Sequence, residues 1–385
     1  MSSTSRMRDI RPFYVMELMN KARQLEAAGA SVIHLEVGEP DFPTAAPIVA
    51  AAQKFLSVGH VHYTPSLGLP ELRRAIADFY QTRYQLDVDP RTIVVTAGAS
   101  AALLIALGAL VNPGDEWLMP DPSYPCNRNF ARLFDGKAVP IPVGTESNFQ
   151  PRPADIAKYW GARTRGLMVA SPSNPTGTVL TQAQLAGLWH EVSARQGHML
   201  VDEIYHGLTY GVDLPSALAI SRDIFVINSF SKYFGMTGWR LGWMVVPDAH
   251  LRNVEKLAQN LFICPSTIAQ HAALAAFAPE TIEILEARRA TFSQRRDVLV
   301  SGLRAIGFDI ATEPQGAFYV YADCSRITKN GAEFADKLLT EAGVAITAGN
   351  DFGTHGANTH LRFAYTVDVT KLEEALSRIK RFLGQ

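Results

Sequence analysis

Short apolar runs alternate with helical stretches between about residue 45 and residue 285 of this chain. Each run is almost continuously apolar, which is typical of strands buried on both faces of a parallel sheet. Strands are predicted at residues 92–96, 116–119, 166–170, 198–201, 224–227 and 242–246, and a helix at 100–110. The pattern therefore predicts the α/β class, with a mainly parallel sheet flanked by helices.

The last hundred residues have a different pattern. Residues 316–321 and 360–364 read as strands, and residues 369–382 as an amphipathic closing helix, which together predict a smaller α+β domain. A helix is predicted at residues 15–28, in a segment too short to fold alone. We therefore expect an N-terminal segment (1–45) that packs on the small domain (286–385), and a large domain (46–285).

Composition narrows the possible functions. Apolar residues make up 47% of the chain and charged residues 19%, against an average of about 25% charged residues in soluble proteins, so extensive burial is expected. The net charge of −1 and the lack of a basic run argue against a nucleic-acid partner. The longest apolar run, residues 101–111, is too short to cross a bilayer of about 30 Å. No signal peptide is evident, so a cytoplasmic protein without a membrane partner is expected.

Cysteine and histidine spacing suggests neither disulfides nor a metal. Three cysteines lie far apart and form no CxxC pair, which favours a reducing compartment. His60 and His62 are close in sequence, but no third ligand is evident, so no metal is predicted.

A lysine between two predicted strands is the strongest chemical candidate. Lys232 lies in the segment SFSKYFGMTGWR, beside small and hydroxyl residues. A free lysine with a pKa of about 10.4 is a poor nucleophile at neutral pH, but burial or a nearby cation makes the neutral amine available for imine formation. Arg240 would supply such a cation and is also suited to a phosphate. Taken alone, a lysine in such a turn is more often a solvated surface residue.

Other polar groups also follow predicted strands. Asp202 follows one strand, the turn SPSNPTG another, and Gly98 precedes a helix whose first amides suit an anion. Individually these features are typical of a helix cap, a turn and a loop. Ligands in parallel sheets bind at the carboxyl ends of strands, where all of them are expected to lie.

Together, and in this order, the motifs resemble those of the class I/II aminotransferases of the fold-type I pyridoxal-phosphate enzymes. The resemblance covers nearly the whole chain and includes GEPDF, YTPSLGLPELR, TAGAS, DPSYP, SPSNPTG, DEIY and SFSKYFGMTGWRLGW. It implies a seven-stranded type of sheet in the large domain and pyridoxal 5'-phosphate as cofactor. It also implies amino-group transfer from an L-amino acid to a 2-oxo acid by a ping-pong mechanism.

The resemblance implies roles around the cofactor ring. Lys232 would hold the cofactor as a Schiff base and move the substrate proton, while Asp202 would keep the ring nitrogen protonated. Tyr205 and Asn174 would bind the phenolic oxygen of the ring, and Tyr124 would stack on its face.

It also implies two anion sites. The cofactor phosphate would be bound by Ala99, Ser100, Ser229, Ser231 and Arg240, and by Tyr63 from the neighbouring subunit, which implies a homodimer with shared active sites. The substrate α-carboxylate would be bound by Arg362, Asn174 and Gly38.

Two other functions remain open at this stage. A pyridoxal-phosphate lyase or synthase would share the same cofactor constellation, and a cofactor-sensing regulator would need a DNA-binding module, for which no basic recognition helix is visible. No second arginine for a side-chain carboxylate can be identified, which favours neutral or varied amino acids. The acceptor is expected to be 2-oxoglutarate or pyruvate.

Overall fold

The computed structural model describes residues 4–10 and 12–385. The helices are α1 (Tyr14–Ala27), α2 (Ala46–Val58), α3 (Pro70–Tyr84), α4 (Ala99–Leu110), α5 (Cys126–Leu133), α6 (Pro153–Tyr159), α7 (Gln182–Ser193), α8 (Asp248–Phe262), α9 (Thr267–Leu274), α10 (Pro279–Ile306), α11 (Gly331–Ala342) and α12 (Val369–Phe382). The strands are β1 (Ile33–His34), β2 (Ile93–Thr96), β3 (Glu116–Asp121), β4 (Lys137–Pro142), β5 (Thr164–Ala170), β6 (His198–Asp202), β7 (Phe225–Ser229), β8 (Gly242–Val245), β9 (Tyr319–Asp323), β10 (Val344–Ala345), β11 (Thr347–Ala348) and β12 (His360–Ala364).

A seven-stranded sheet forms the centre of the molecule, in the order β2-β8-β7-β6-β5-β3-β4. Strand β8 is antiparallel to both of its neighbours, and the other adjacent pairs are parallel. Alternate residues of a strand enter separate cores on the two faces: Ile93 and Val95 join one, and Val94 joins the other. This two-sided burial explains the continuous apolar runs and confirms the predicted α/β class.

The strand β4 was not predicted from the sequence. Its residues Lys137–Pro142 include Pro140 and Pro142, which have no amide hydrogen to donate to a neighbouring strand. Of the strands described, it pairs only with β3, at the edge of the sheet, where proline is tolerated. Rules that discount proline in strands therefore miss it.

The C-terminal part contains a three-stranded antiparallel sheet in the order β11-β12-β9. Strand β12 and helix α12 have the predicted bounds, but the strand predicted at 316–321 is instead β9, which begins at Tyr319. Ala317 adopts a left-handed backbone conformation (φ +59°), which interrupts the extended geometry before Tyr319.

The N-terminal segment contacts the C-terminal part of the chain. Strand β1 pairs in parallel with β10, and Leu18 and Ala22 of α1 pack against Leu339 and Ala345. The division of the chain at residues 45 and 285 stays a prediction, and the second point falls inside the continuous helix α10. Among the described residues, no helix combines the length and apolar character needed to cross a membrane.

Candidate active site

A cavity of about 270 Å³ lies at the carboxyl ends of the central strands. It is lined by twelve of the thirteen residues predicted from sequence: Gly38, Ala99, Ser100, Tyr124, Asn174, Asp202, Tyr205, Ser229, Ser231, Lys232, Arg240 and Arg362. The sheet brings several of them together, because β5, β6 and β7 are adjacent and parallel. Ala170 at the end of β5 is paired with Asp202 at the end of β6.

The amine of Lys232 is enclosed by protein and lies three residues beyond the end of β7. Its Nζ donates a hydrogen bond to the carbonyl of Gly38 at 2.6 Å and lies 5.6 Å from the centre of the Phe318 ring. Burial lowers the pKa of Lys232 to about 8; Glu39 opposes this shift, and Arg362 adds to it. A substantial share of this amine is therefore neutral near physiological pH.

Asp202 is a buried carboxyl group, 5% exposed, at the last position of β6. Burial raises the pKa of Asp202 to about 7, whereas the Ile204 amide (3.1 Å from Oδ1) and the Lys232 amine lower it. These two interactions offset the effect of burial only in part. A cation placed in the cavity would therefore stabilise the carboxylate further.

Tyr319 is a cavity residue that the sequence did not reveal. Its hydroxyl lies 2.9 Å from the Tyr205 hydroxyl, and both side chains are buried. A Cβ atom on Gly38 would overlap the Tyr319 hydroxyl, so this close approach requires glycine. In the sequence Tyr319 reads as one of several aromatic residues in an ordinary core strand, and only the preceding Gly316 marks the segment as irregular.

The N-terminus of α4 and a guanidinium meet at the cavity, an arrangement that suits an anion. Gly98 precedes the helix at φ +81°, and a Cβ there would lie 2.6 Å from Nη2 of Arg240. Ala99 and Ser100, in the first turn of α4, also line the cavity, where the helix dipole favours negative charge. Arg240 donates to the Thr237 carbonyl at 3.1 Å and, within the part of the chain that is described, pairs with no carboxylate.

A second guanidinium, that of Arg362, is 4% exposed. Its Nη1 donates to Oδ1 of Asn174 at 2.9 Å, and its Nη2 donates to the Glu36 carbonyl. The cation lies 4.3 Å from the centre of the Tyr319 ring. Among residues 4–10 and 12–385 it forms no salt bridge, and its buried Nε has no partner. A buried cation held only by neutral groups is prepared for an incoming carboxylate.

Tyr63 is the predicted site residue that does not reach this cavity. Its side chain is 81% exposed, and Leu56, Val58 and Val61 nearby in sequence are exposed as well. Several exposed apolar side chains in one short segment are typical of a protein–protein contact surface.

A larger cleft of about 980 Å³ lies elsewhere, lined by residues that include Arg83, His206 and Asp213. Among the described residues no lysine lines it, and burial lowers the pKa of His206 to about 3, which leaves that ring neutral. Size alone would select this cleft, but the reactive amine, the buried acid and the unpaired guanidinium groups all face the smaller cavity.

Comparison with known proteins agrees with this geometry. Residues 30–379 match the family model for aminotransferase class I and II. A valine–pyruvate aminotransferase from Mycobacterium tuberculosis is 40% identical over 97% of this chain and 96% of its own length. An aspartate aminotransferase from Thermotoga maritima is 35% identical over 96% of each chain.

Solved structures show the same fold. The crystal structure of an aminotransferase from Mycobacterium tuberculosis matches with a TM-score of 0.96 at 39% identity, covering 100% of this chain and 99% of that one. The match of family, fold and full length identifies the reaction as transfer of an amino group from an amino acid to a 2-oxo acid. The chain belongs to the class I and II aminotransferases, a family that depends on pyridoxal phosphate.

Proposed function

We propose that pyridoxal 5'-phosphate binds in the 270 Å³ cavity, with Lys232 as its covalent anchor and Asp202 at its ring nitrogen. The observation that carries this proposal is the meeting of a buried amine and a buried carboxyl group between two guanidinium groups without carboxylate partners. The phosphate anion, the protonated ring nitrogen and the aldehyde of the cofactor would each meet a complementary group there.

The remaining lining residues fit the cofactor from three sides. The phosphate would be bound by the amides of Ala99 and Ser100, the hydroxyls of Ser229 and Ser231, and Arg240. The ring would lie against Tyr124, with Tyr205 and Asn174 at its phenolic oxygen. When bound, the cofactor supplies an electrophilic carbon and a ring that withdraws electrons from the substrate Cα.

The protein itself orients the substrate and moves one proton. Arg362, with Asn174 and the small Gly38, holds the α-carboxylate and so fixes the direction of the Cα–H bond. The neutral Nζ of Lys232 would accept the Cα proton, which a pKa of about 8 permits near neutral pH. The 2-oxo acid then binds the same groups, and the steps run in reverse.

This proposal is tested with the purified full-length protein loaded with pyridoxal phosphate. Adding one amino acid without an acceptor is expected to change the cofactor absorbance stoichiometrically, and a 2-oxo acid is expected to restore it. Continuous release of ammonia and 2-oxo acid without an acceptor would instead indicate a lyase.

Asp202→Asn is expected to lower kcat by at least about 10²-fold, because a neutral amide does not hold the ring nitrogen protonated. Cofactor should still attach to Lys232, so borohydride trapping separates this effect from failed binding. Asp223→Asn, at an exposed position, is the matched control and should keep wild-type activity. Equal kcat values in the two variants would remove Asp202 from the mechanism.

We further propose that the active form is a homodimer in which Tyr63 reaches the phosphate bound by the neighbouring subunit. Its 81% exposure and the exposed apolar side chains of Leu56, Val58 and Val61 support an interface there. The Thr267 hydroxyl donates to the His62 carbonyl at 2.7 Å, which ties this segment to α9.

Tyr63→Ala is expected to weaken cofactor binding about tenfold, the effect of one lost hydrogen bond of about 1.4 kcal/mol. A mixture of Tyr63→Ala and Lys232→Ala subunits should regain activity at limiting cofactor, because mixed dimers contain one complete site. Absence of rescue, despite subunit exchange, would place Tyr63 in its own subunit's site or outside both.

A cytoplasmic location is also proposed. Its support is that Cys126, Cys264 and Cys324 are all free, as is usual in a reducing compartment.

A further inference from the structure

The first turns of α1 form an apolar wall of the cavity. Phe13, Val15, Met16 and Met19 all line it. The Phe13 ring contacts the Tyr124 ring edge to face, with centroids 6.0 Å apart. Since Tyr124 is proposed to lie on the cofactor ring, the wall stands beside the reacting part of a bound substrate.

The C-terminal end of α1, the helix that carries this wall, is linked to Arg362, the proposed carboxylate clamp. Nε2 of His34 lies 3.2 Å from Oε1 of Glu26, near the end of α1, and Nδ1 of the same ring lies 2.7 Å from Oε1 of the buried Glu36. The carbonyl of that same Glu36 accepts a hydrogen bond from Arg362. Glu36 therefore contacts Arg362 directly and, through His34, the helix that carries the wall.

Within one subunit, the described charges that line the cavity leave no partner for a second substrate carboxylate. Among the described lining residues the cations are Lys232, Arg240 and Arg362, and each already has a proposed role. The remaining charged groups are Asp202 and Glu39, both acids. A carboxylate on the substrate side chain would lose water, face apolar groups and be repelled by Glu39.

We infer that this enzyme uses amino acids with neutral, apolar side chains and, as acceptor, a 2-oxo acid with a single carboxylate, such as pyruvate. The inference rests on the proposed function, because it assumes that Arg362 binds the α-carboxylate. Donor and acceptor occupy one site in turn, so the same wall selects both. In the exchange the acceptor carbon gains the donor's amino nitrogen and loses its keto oxygen as water, and the donor carbon takes its keto oxygen from another water molecule.

Substrates of similar size give a sharp test. Leucine, asparagine and aspartate have side chains with the same number and branching of heavy atoms, so they differ chiefly in polarity and charge. With the cofactor-loaded protein, the rate constant per unit concentration for the absorbance change is expected to be at least about tenfold higher for leucine than for aspartate. The corresponding acceptors, 4-methyl-2-oxopentanoate and oxaloacetate, should rank in the same order.

The outcomes separate the inference from the proposed function. Aspartate reacting as fast as leucine, or faster, overturns the inference but leaves Lys232-dependent transamination intact. A protein that reacts with no amino acid at all overturns both.

A charge placed on the wall tests its position. Met16 is 47% exposed, so Met16→Lys should fold and is expected to shift the leucine-to-aspartate ratio at least about fivefold towards aspartate. Met7→Lys is the matched control, at a residue that is 53% exposed and absent from the cavity lining. Identical ratios in the two variants would show that α1 does not face the substrate side chain, and would overturn the inference.

Discussion

Lys232→Ala is expected to abolish covalent attachment of the cofactor and to lower kcat by at least about 10³-fold. Two functions are lost together, because the same Nζ anchors the cofactor and moves the Cα proton. The fold should survive, since the change removes a buried amine whose pKa burial lowers to about 8 and leaves one carbonyl, that of Gly38, without its donor. An unpaired carbonyl costs about 1–3 kcal/mol.

Borohydride reduction followed by mass spectrometry of the tryptic peptides measures this directly. Wild-type protein should carry the reduced cofactor on the peptide containing Lys232, and the variant should carry none. Lys380→Ala, at an exposed position of α12, is the matched control and should be labelled like wild type. Full labelling of the Lys232→Ala protein on another lysine would overturn the assignment.

Much of this site was predictable from sequence because its groups follow buried strands. The continuous apolar runs before Asp202 and Lys232 predict parallel strands, and parallel strands bring their carboxyl ends together. That rule and the resemblance to a family together predict that twelve residues scattered along the sequence line one cavity. Neither periodicity nor composition indicated the cofactor by itself.

The interactions that were not predictable join distant parts of the chain. Tyr205 and Tyr319 meet across 114 positions of sequence, and each alone looks like a core aromatic residue. The partners of Arg362 include the backbone carbonyl of Glu36, which no side-chain pattern can reveal. The apolar wall was not predictable either, because an amphipathic helix does not show in its sequence whether its apolar face meets a core or a cavity.

Arg362→Lys is expected to lower kcat/KM for amino acids by about 10²-fold or more, because the buried fork that fits a carboxylate is replaced by a single ammonium. An ammonium keeps the charge but cannot contact Asn174, the Glu36 carbonyl and a bidentate carboxylate at once. The loss should be mainly in KM if the clamp acts before the chemical step, and in kcat as well if it directs the Cα–H bond.

A substrate without the carboxylate distinguishes a clamp from a structural residue. For a simple alkylamine, wild type and Arg362→Lys should react at similar low rates, since neither can use the clamp. Arg326→Lys, at an exposed position, should leave both substrates unaffected. If the variant lost the same factor with the amine as with the amino acid, Arg362 would be supporting the fold around Tyr319 and Phe352 instead of binding the carboxylate. The inferred preference for substrates with apolar side chains would then lack its basis. The wall of α1 selects a substrate side chain only when the α-carboxylate at the other end of the substrate is held.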